Sequence, residues 1–146
     1  MAALSNYLEN KLIDQLFRGQ AFTFPSTVYV GLYTAAPSDT GGGTEVSGGS
    51  YARVSVSASL ANWAGTQSAG STSASSGTSG TTSNNIAITF PEPTATWGVI
   101  THVGIFDAAS SGNLLIHGAL TIPKTVNNGD SAPTFQASAL AFQLDN

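Results

Sequence analysis

Residues 97–120 read WGVITHVGIFDAASSGNLLIHGAL. Two apolar runs, WGVITHVGIF and LLIHGAL, flank DAASSGN, a segment of small and turn-forming residues. β-Branched and aromatic residues on either side of such a segment spell a β-hairpin. Alternation is weak in VITH and LLIH, which suits strands covered on both faces. Asp107 opens the turn, where an Asp carboxylate can cap its own backbone. A turn about the middle of the segment pairs Phe106 with Asn113 and Ile105 with Leu114. It then sets His102 opposite His117, and the chain has only these two histidines. Directly opposed residues hold their Cβ atoms about 4.5–5.5 Å apart. Two imidazoles at that spacing could share a metal with a third ligand, or repel each other once protonated near about pH 6. No acid is placed to complete a metal set, and a one-residue slip of register breaks the pairing. No metal is therefore assigned; His102 and His117 are read first as a structural pair, for example at a subunit contact.

Strands extend outward from the hairpin. In STVYVGLYTA (residues 26–35), Val28, Val30 and Leu32 lie on one side and Tyr29, Gly31 and Tyr33 on the other. In YARVSVSASL (51–60), Tyr51, Arg53, Ser55 and Ser57 alternate with Ala52, Val54 and Val56. IAITF (86–90) is a strand closed by Pro91 and Pro93, and NNGD (127–130) is a turn. The chain ends on ASALAFQL, where Leu140, Phe142 and Leu144 alternate with Ala139, Ala141 and Gln143. Ahead of the strands, Leu4, Leu8, Leu12 and Leu16 recur at helical spacing, with Tyr7, Ile13 and Phe17 beside them. Asn6 and Glu9 have capping-box spacing, and Gly19 suits a left-handed stop after Arg18. The pattern predicts one amphipathic helix over about residues 4–18. Its apolar face is expected to bury against the β core or on a neighbouring subunit.

These elements predict a mainly β fold: a compact antiparallel β-sandwich or barrel of roughly seven short strands with one N-terminal amphipathic helix. A single domain over 1–146 is expected, with the helix leading into a β domain over about 26–146. Two loops stand out. APSDTGGGTEVSGGS (36–50) is full of turn formers, and TQSAGSTSASSGTSGTTSNN (66–85) is nearly all Ser, Thr, Gly and Ala. Such runs make no core of their own, and loops beyond about 12–15 residues are usually functional or disordered. The stretches 37–50 and 66–85 are therefore expected to meet other subunits, through residues such as Thr40, Glu45, Ser50, Ser71, Ser76 and Thr82. If 66–85 is ordered, neighbours should supply its hydrogen-bond partners. Deleting 70–82 should then spare folding and weaken assembly.

Composition narrows the function. Charged residues are 8 % of the chain, with eight acids against four bases and a net charge of −4. Lys11, Arg18, Arg53 and Lys124 are scattered, so the clustered cations of a nucleic-acid surface are missing. No apolar run approaches the roughly 18 residues of a membrane span, and MAALSNYLENKL lacks the basic and apolar regions of a signal peptide. With no cysteine, thiolate sites and disulfides are out of reach. No GxSxG elbow occurs, and no pair of carboxylates, Glu92 and Asp130 included, is marked out for hydrolysis. GGGTEVSGG lacks the lysine and helix of a phosphate loop. An enzyme is not expected, and neither is a cofactor. Little charge and abundant hydroxyl groups suit a subunit that buries its surface in an assembly. Exposed aromatics could instead make a binding tip, the candidates being Tyr29, Tyr33, Tyr51 and Trp97; Trp63 and Trp97 are first read as core.

Three stretches, LSNYLENKLIDQLFRGQAF, VYVGLYTAAPSDTGGGTEVSGGSYARVSV and WGVITHVGIFDAASSGNLLIHGALTIPKTVNNGD, resemble small virion proteins of tailed phages, a family usually labelled phage tail fibre proteins. The hairpin is also similar to a short motif in attachment regions of longer phage fibres. The resemblance covers nearly the whole chain except the Ser/Thr-rich loop. It implies a non-enzymatic virion subunit, made in the bacterial host cytoplasm and associated with the tail as a fibre-like or adaptor part. Its partners would be copies of itself and other phage virion proteins. A capsid decoration protein and a tail-tip module for a host receptor or glycan are the alternatives. Repeats and heptads, which a long shaft would need, are missing from the sequence.

Overall fold

In the computed structural model, which describes residues 2–144, the hairpin forms the middle of the main sheet. Strands β7 (Gly98–Phe106) and β8 (Leu114–Val126) pair antiparallel. Two further strands extend this pair: β1 (Ala2–Leu4) joins β8 on its outer side, and β2 (Thr27–Ala35) joins β7. The far edge of β2 is shared. β4 (Val54–Ser57) pairs with its first half and β3 (Thr44–Glu45) with its end. These six strands make an open antiparallel sheet, so the barrel alternative is replaced by layers. Two small ribbons complete the fold, β5 (Thr81–Ser83) with β10 (Ala141–Gln143) and β6 (Ile88–Thr89) with β9 (Thr134–Phe135).

The core lies between the sheet and these ribbons. Val30, Leu32, Ile100, Val103 and Ile105 of the sheet share one buried cluster with Ile88, Phe90, Leu140 and Phe142. The alternation read from STVYVGLYTA holds: Val30 and Leu32 face this core, while Tyr33 joins a second small cluster on the other face with Phe106 and Leu114. The sheet is covered on both faces over β7, which is why alternation is weak there. Among the described residues ten strands replace the seven expected, because the ribbons use segments of two or three residues, too short to show a period.

The hairpin register differs from the symmetric one. Phe106 pairs with Leu114, Ile105 with Ile116, Gly104 with His117 and His102 with Ala119. A seven-residue turn and an irregularity at Leu115 shift the pairing by two residues. The bulge lets Leu114 and Leu115 both be buried, each in a different cluster. Asp107 pins the turn as its position suggests: its carboxylate accepts from the Asn113 N–H at 2.7 Å and from the Asn113 side chain at 2.7 Å. Gly112 is needed beside it, since its φ is +70° and a Cβ there would lie 2.5 Å from that carboxylate.

Helix α1 spans Asn6–Phe17. Its N-cap is Ser5, not Asn6. The Ser5 hydroxyl accepts from the Leu8 N–H at 3.3 Å and donates to the Leu114 carbonyl, while the Asn6 N–H is taken by the Asp39 carbonyl at 2.8 Å. Capping and docking on the sheet thus use one side chain. Gly19, at φ +66°, ends the helix as expected.

The loop 66–85 finds hydrogen-bond partners within this chain. Gln67 donates to the Ser73 hydroxyl at 2.9 Å and the Ala74 carbonyl at 3.2 Å, and accepts from the Ser76 N–H at 3.0 Å. Ser71 accepts from the Gly65 N–H at 2.8 Å, and Thr82 donates to the Ala64 carbonyl at 2.8 Å. Strand β5 lies near the end of the stretch, so a deletion of 70–82 would remove part of a ribbon.

Candidate functional site

The face of the main sheet turned away from the core carries a cluster of interlinked polar side chains. It starts from a gap in the ladder. At Leu32 the partner of β2 changes from β4 to β3, leaving a backbone N–H without a strand partner. The Tyr51 hydroxyl accepts that N–H at 2.9 Å and donates to Glu45 Oε1 at 2.9 Å. Glu45 in turn holds Arg53 in a two-point ion pair, both contacts 2.7 Å. The remaining guanidinium nitrogen donates to the carbonyls of Ala108 at 2.9 Å and Ser111 at 2.8 Å in the hairpin turn. The Arg53 guanidinium carbon sits 3.3 Å from the Phe106 ring centroid. One residue therefore ties β3, β4 and the hairpin together.

Glycines make this packing possible. A Cβ on Gly31 would lie 2.9 Å from Phe106 Cε2 and 3.0 Å from Glu45 Oε1. A Cβ on Gly104 would lie 2.9 Å from both Leu114 Cδ1 and Tyr33 Cε2. The electrostatics follow the burial. Burial, then Glu45, pushes the Tyr33 phenol above its ordinary value. Burial raises Tyr51 further still, with Glu45 adding to it. For Arg53, burial works against the charge, but Glu45 outweighs it and the pKa stays above the usual value.

Beside this cluster opens a cleft of about 490 Å³, with Tyr33, Asp39, Thr40, Glu45, Arg53 and Asn113 in its lining. All three guanidinium nitrogens of Arg53 are engaged within the fold. The cleft thus offers carboxylate, hydroxyl and amide groups, a surface for polar contacts. The histidines are not opposed: His117 faces Gly104 and His102 faces Ala119. His117 Nε2 lies 3.1 Å from Asp39 Oδ1, and His102 Nδ1 lies 2.8 Å from the Thr101 hydroxyl. Each has a partner of its own. Among the described residues no three His, Asp or Glu side chains converge as metal ligands.

The other sequence candidates distribute as follows. Tyr33 and Trp97 are buried, at 4 % and 7 % exposure, so neither is a surface aromatic. Tyr29 and Tyr51 are half-buried. Tyr51 stacks parallel to Phe90 and edge-on to Trp97, and Trp97 donates to the Gly49 carbonyl at 2.9 Å. Ser50 holds Thr94 at 2.8 Å, and Thr40 holds Ser38 at 3.0 Å on the cleft rim. Glu45 and Thr82 serve internal bonds; Thr40, Ser50 and Ser76 remain exposed. Arg53 and Asn84 were not singled out by sequence reasoning, although Arg53 is one of only four bases in the chain.

The apolar stripe of the helix is the other surface feature. Only its first turn docks on the sheet. Leu8 is 8 % exposed, then Leu12 is 36 %, Ile13 49 %, Leu16 73 % and Phe17 77 %. The helix leaves the body as it runs, and the stripe goes with it. Of the two destinations expected for this face, the core takes Leu8, with Leu4 and Tyr7 packed against it.

Comparison with known proteins gives a family match. The family model described as Podophage GP4 fiber I protein gp80 matches residues 3–143. No curated protein matches the chain.

Proposed function

Because the chain belongs to the family of the Podophage GP4 fiber I protein gp80, a phage fibre family, we propose that it is a tail-associated structural subunit of a bacteriophage virion. It acts without catalysis, by associating with copies of itself and docking on a neighbouring virion protein. The observation that carries this is the extent of the match, which takes in the helix, the main sheet and both long loops. Two features support it. The charged cluster is used up inside the fold, as expected of a scaffold and not of a reaction site. The outer helix face is apolar and uncovered by this chain, and apolar patches of that kind mark interaction surfaces. The loop residues Thr40, Ser50 and Ser76 would lie at contacts between subunits.

A capsid decoration role uses the same chemistry on a different part of the particle. A receptor- or glycan-binding tip draws less support, because Tyr33 and Trp97 are inside the molecule. Separating heads from tails of the purified phage and quantifying this chain by mass spectrometry tests the proposal. Recovery with the tail fraction is the expected result. Recovery with heads would replace it by the decoration role, and absence from both would remove the chain from the virion.

A further inference from the structure

We propose that the cleft on the outer face of the main sheet binds a neutral sugar. This goes beyond the structural role proposed above and does not depend on it. The Tyr33 hydroxyl carries the proposal. Tyr33 is 4 % exposed and lines the cleft, and its hydroxyl makes no hydrogen bond to any described residue. Polar groups on so buried a residue are normally paired. This one keeps its donor and its acceptor capacity for whatever enters the cleft. Burial, then Glu45, holds its pKa above the usual value, so it donates throughout the neutral range. Strand β2 is paired on both sides at this residue, with Glu45 of β3 and His102 of β7. The floor of the cleft is thus a sheet face. It offers side chains to a ligand, and a peptide has no ladder to join there.

The walls select the class of ligand. Asp39 and Glu45 both line the cleft, so an anion is repelled. Arg53 does little to offset this, because it spends four of its five N–H donors on Glu45 and the turn carbonyls. A cation gains little either, since Glu45 is already paired with Arg53 at 2.7 Å and Asp39 lies 3.1 Å from His117. What remains are acceptors with capacity to spare and a free donor. Asp39 uses one oxygen on His117, and Asn113 uses its amide nitrogen on Asp107. The other side-chain oxygen of each is free among the described residues. Adjacent ring hydroxyls both donate and accept, so a sugar can donate to Asp39 and Asn113 while accepting from Tyr33. The cleft's volume of about 490 Å³ lies within the roughly 300–1,000 Å³ of small-ligand sites, room for a mono- or disaccharide. A sugar held this way is bound by hydrogen bonds and needs no exposed aromatic to stack on.

Saturation-transfer NMR of the full chain with millimolar D-glucose, D-galactose, D-mannose and N-acetyl-D-glucosamine tests this, comparing wild type with Tyr33→Phe. The variant loses only an unpaired hydroxyl, so its thermal melting should match wild type. The expected result is transfer from wild type to at least one of these sugars, and an affinity roughly 5- to 10-fold weaker in the variant. D-Glucuronate should bind less well than D-glucose; a preference for it would overturn the neutral ligand. Amide shifts on titration locate the site independently of the variant, and they should gather at Gly41–Gly43 and Ser111–Asn113 around the cleft. No transfer to any of the four sugars would overturn the proposal, and the cleft would then belong to protein contacts. Transfer that Tyr33→Phe does not weaken, with shifts elsewhere, would overturn the cleft as the site. Either failure leaves the virion role standing, since recovery with tails or heads decides that separately.

Discussion

The Asn84 side chain is fully buried and spends all its polar atoms on backbone. It donates to the carbonyls of Ile86 at 2.7 Å and Gln136 at 2.8 Å, and its oxygen accepts from the Leu140 N–H at 2.9 Å. Asn84→Leu should lower stability by about 3 kcal/mol, because one buried and two part-buried backbone groups lose their partners; the urea midpoint reads this directly. Tyr51 has a comparable role at the Leu32 gap, and it carries a pH dependence. The unfolded phenol ionises near 10.0, whereas burial first, then Glu45, holds the folded one well above that. Above about pH 10 the folded state therefore keeps a proton that the unfolded state has lost. Stability should be full below that pH and fall as pH rises beyond it, by up to about 1.4 kcal/mol per unit. Urea midpoints between pH 8 and 11 should show this slope, flatter in Tyr51→Phe. Neither role is legible in the sequence. Asn84 stands in a run of serines and threonines, and Tyr51 reads as one more alternating aromatic. Their value comes largely from backbone groups distant in sequence: those of Gln136 and Leu140 for Asn84, and of Leu32 for Tyr51.

At the scale of elements, the hairpin, the helix and the strand over 26–35 are legible because each shows its period. The register of the hairpin is not. A bulge at Leu115 leaves no trace in composition, and it moves His117 away from His102. The ribbons are hidden for another reason: two- or three-residue strands are specified by their partners. The loop 66–85 shows the consequence. Its composition says disorder, yet Gln67, Ser71 and Thr82 hold it, and β5 at its end pairs Thr82 with Phe142. A chain lacking 70–82 should melt well below wild type, since Phe142 loses its strand partner. A chain lacking only 72–78 keeps β5 and should fold, with a melting temperature close to wild type. Circular dichroism melts of both deletions check the contrast.

For the whole molecule, the two surfaces divide the work. The outer face of the sheet closes on itself through Arg53, Glu45 and Tyr51, and the helix carries its apolar stripe away from the body. Membership of a phage fibre family gives that stripe a context, since the function proposed above would cover exposed apolar area on assembly. The composition fits the same setting, since a low charge density serves a surface that is not left in water. The part of the site legible in advance was the stripe itself; which face stayed uncovered depended on how the helix leaves the sheet after Leu8. The measurement that tests the central claim most directly is gold-labelled antibody against this chain on intact virions, viewed by electron microscopy. Gold confined to the tail is the predicted result. Gold spread over the head, or particles without label, would contradict it.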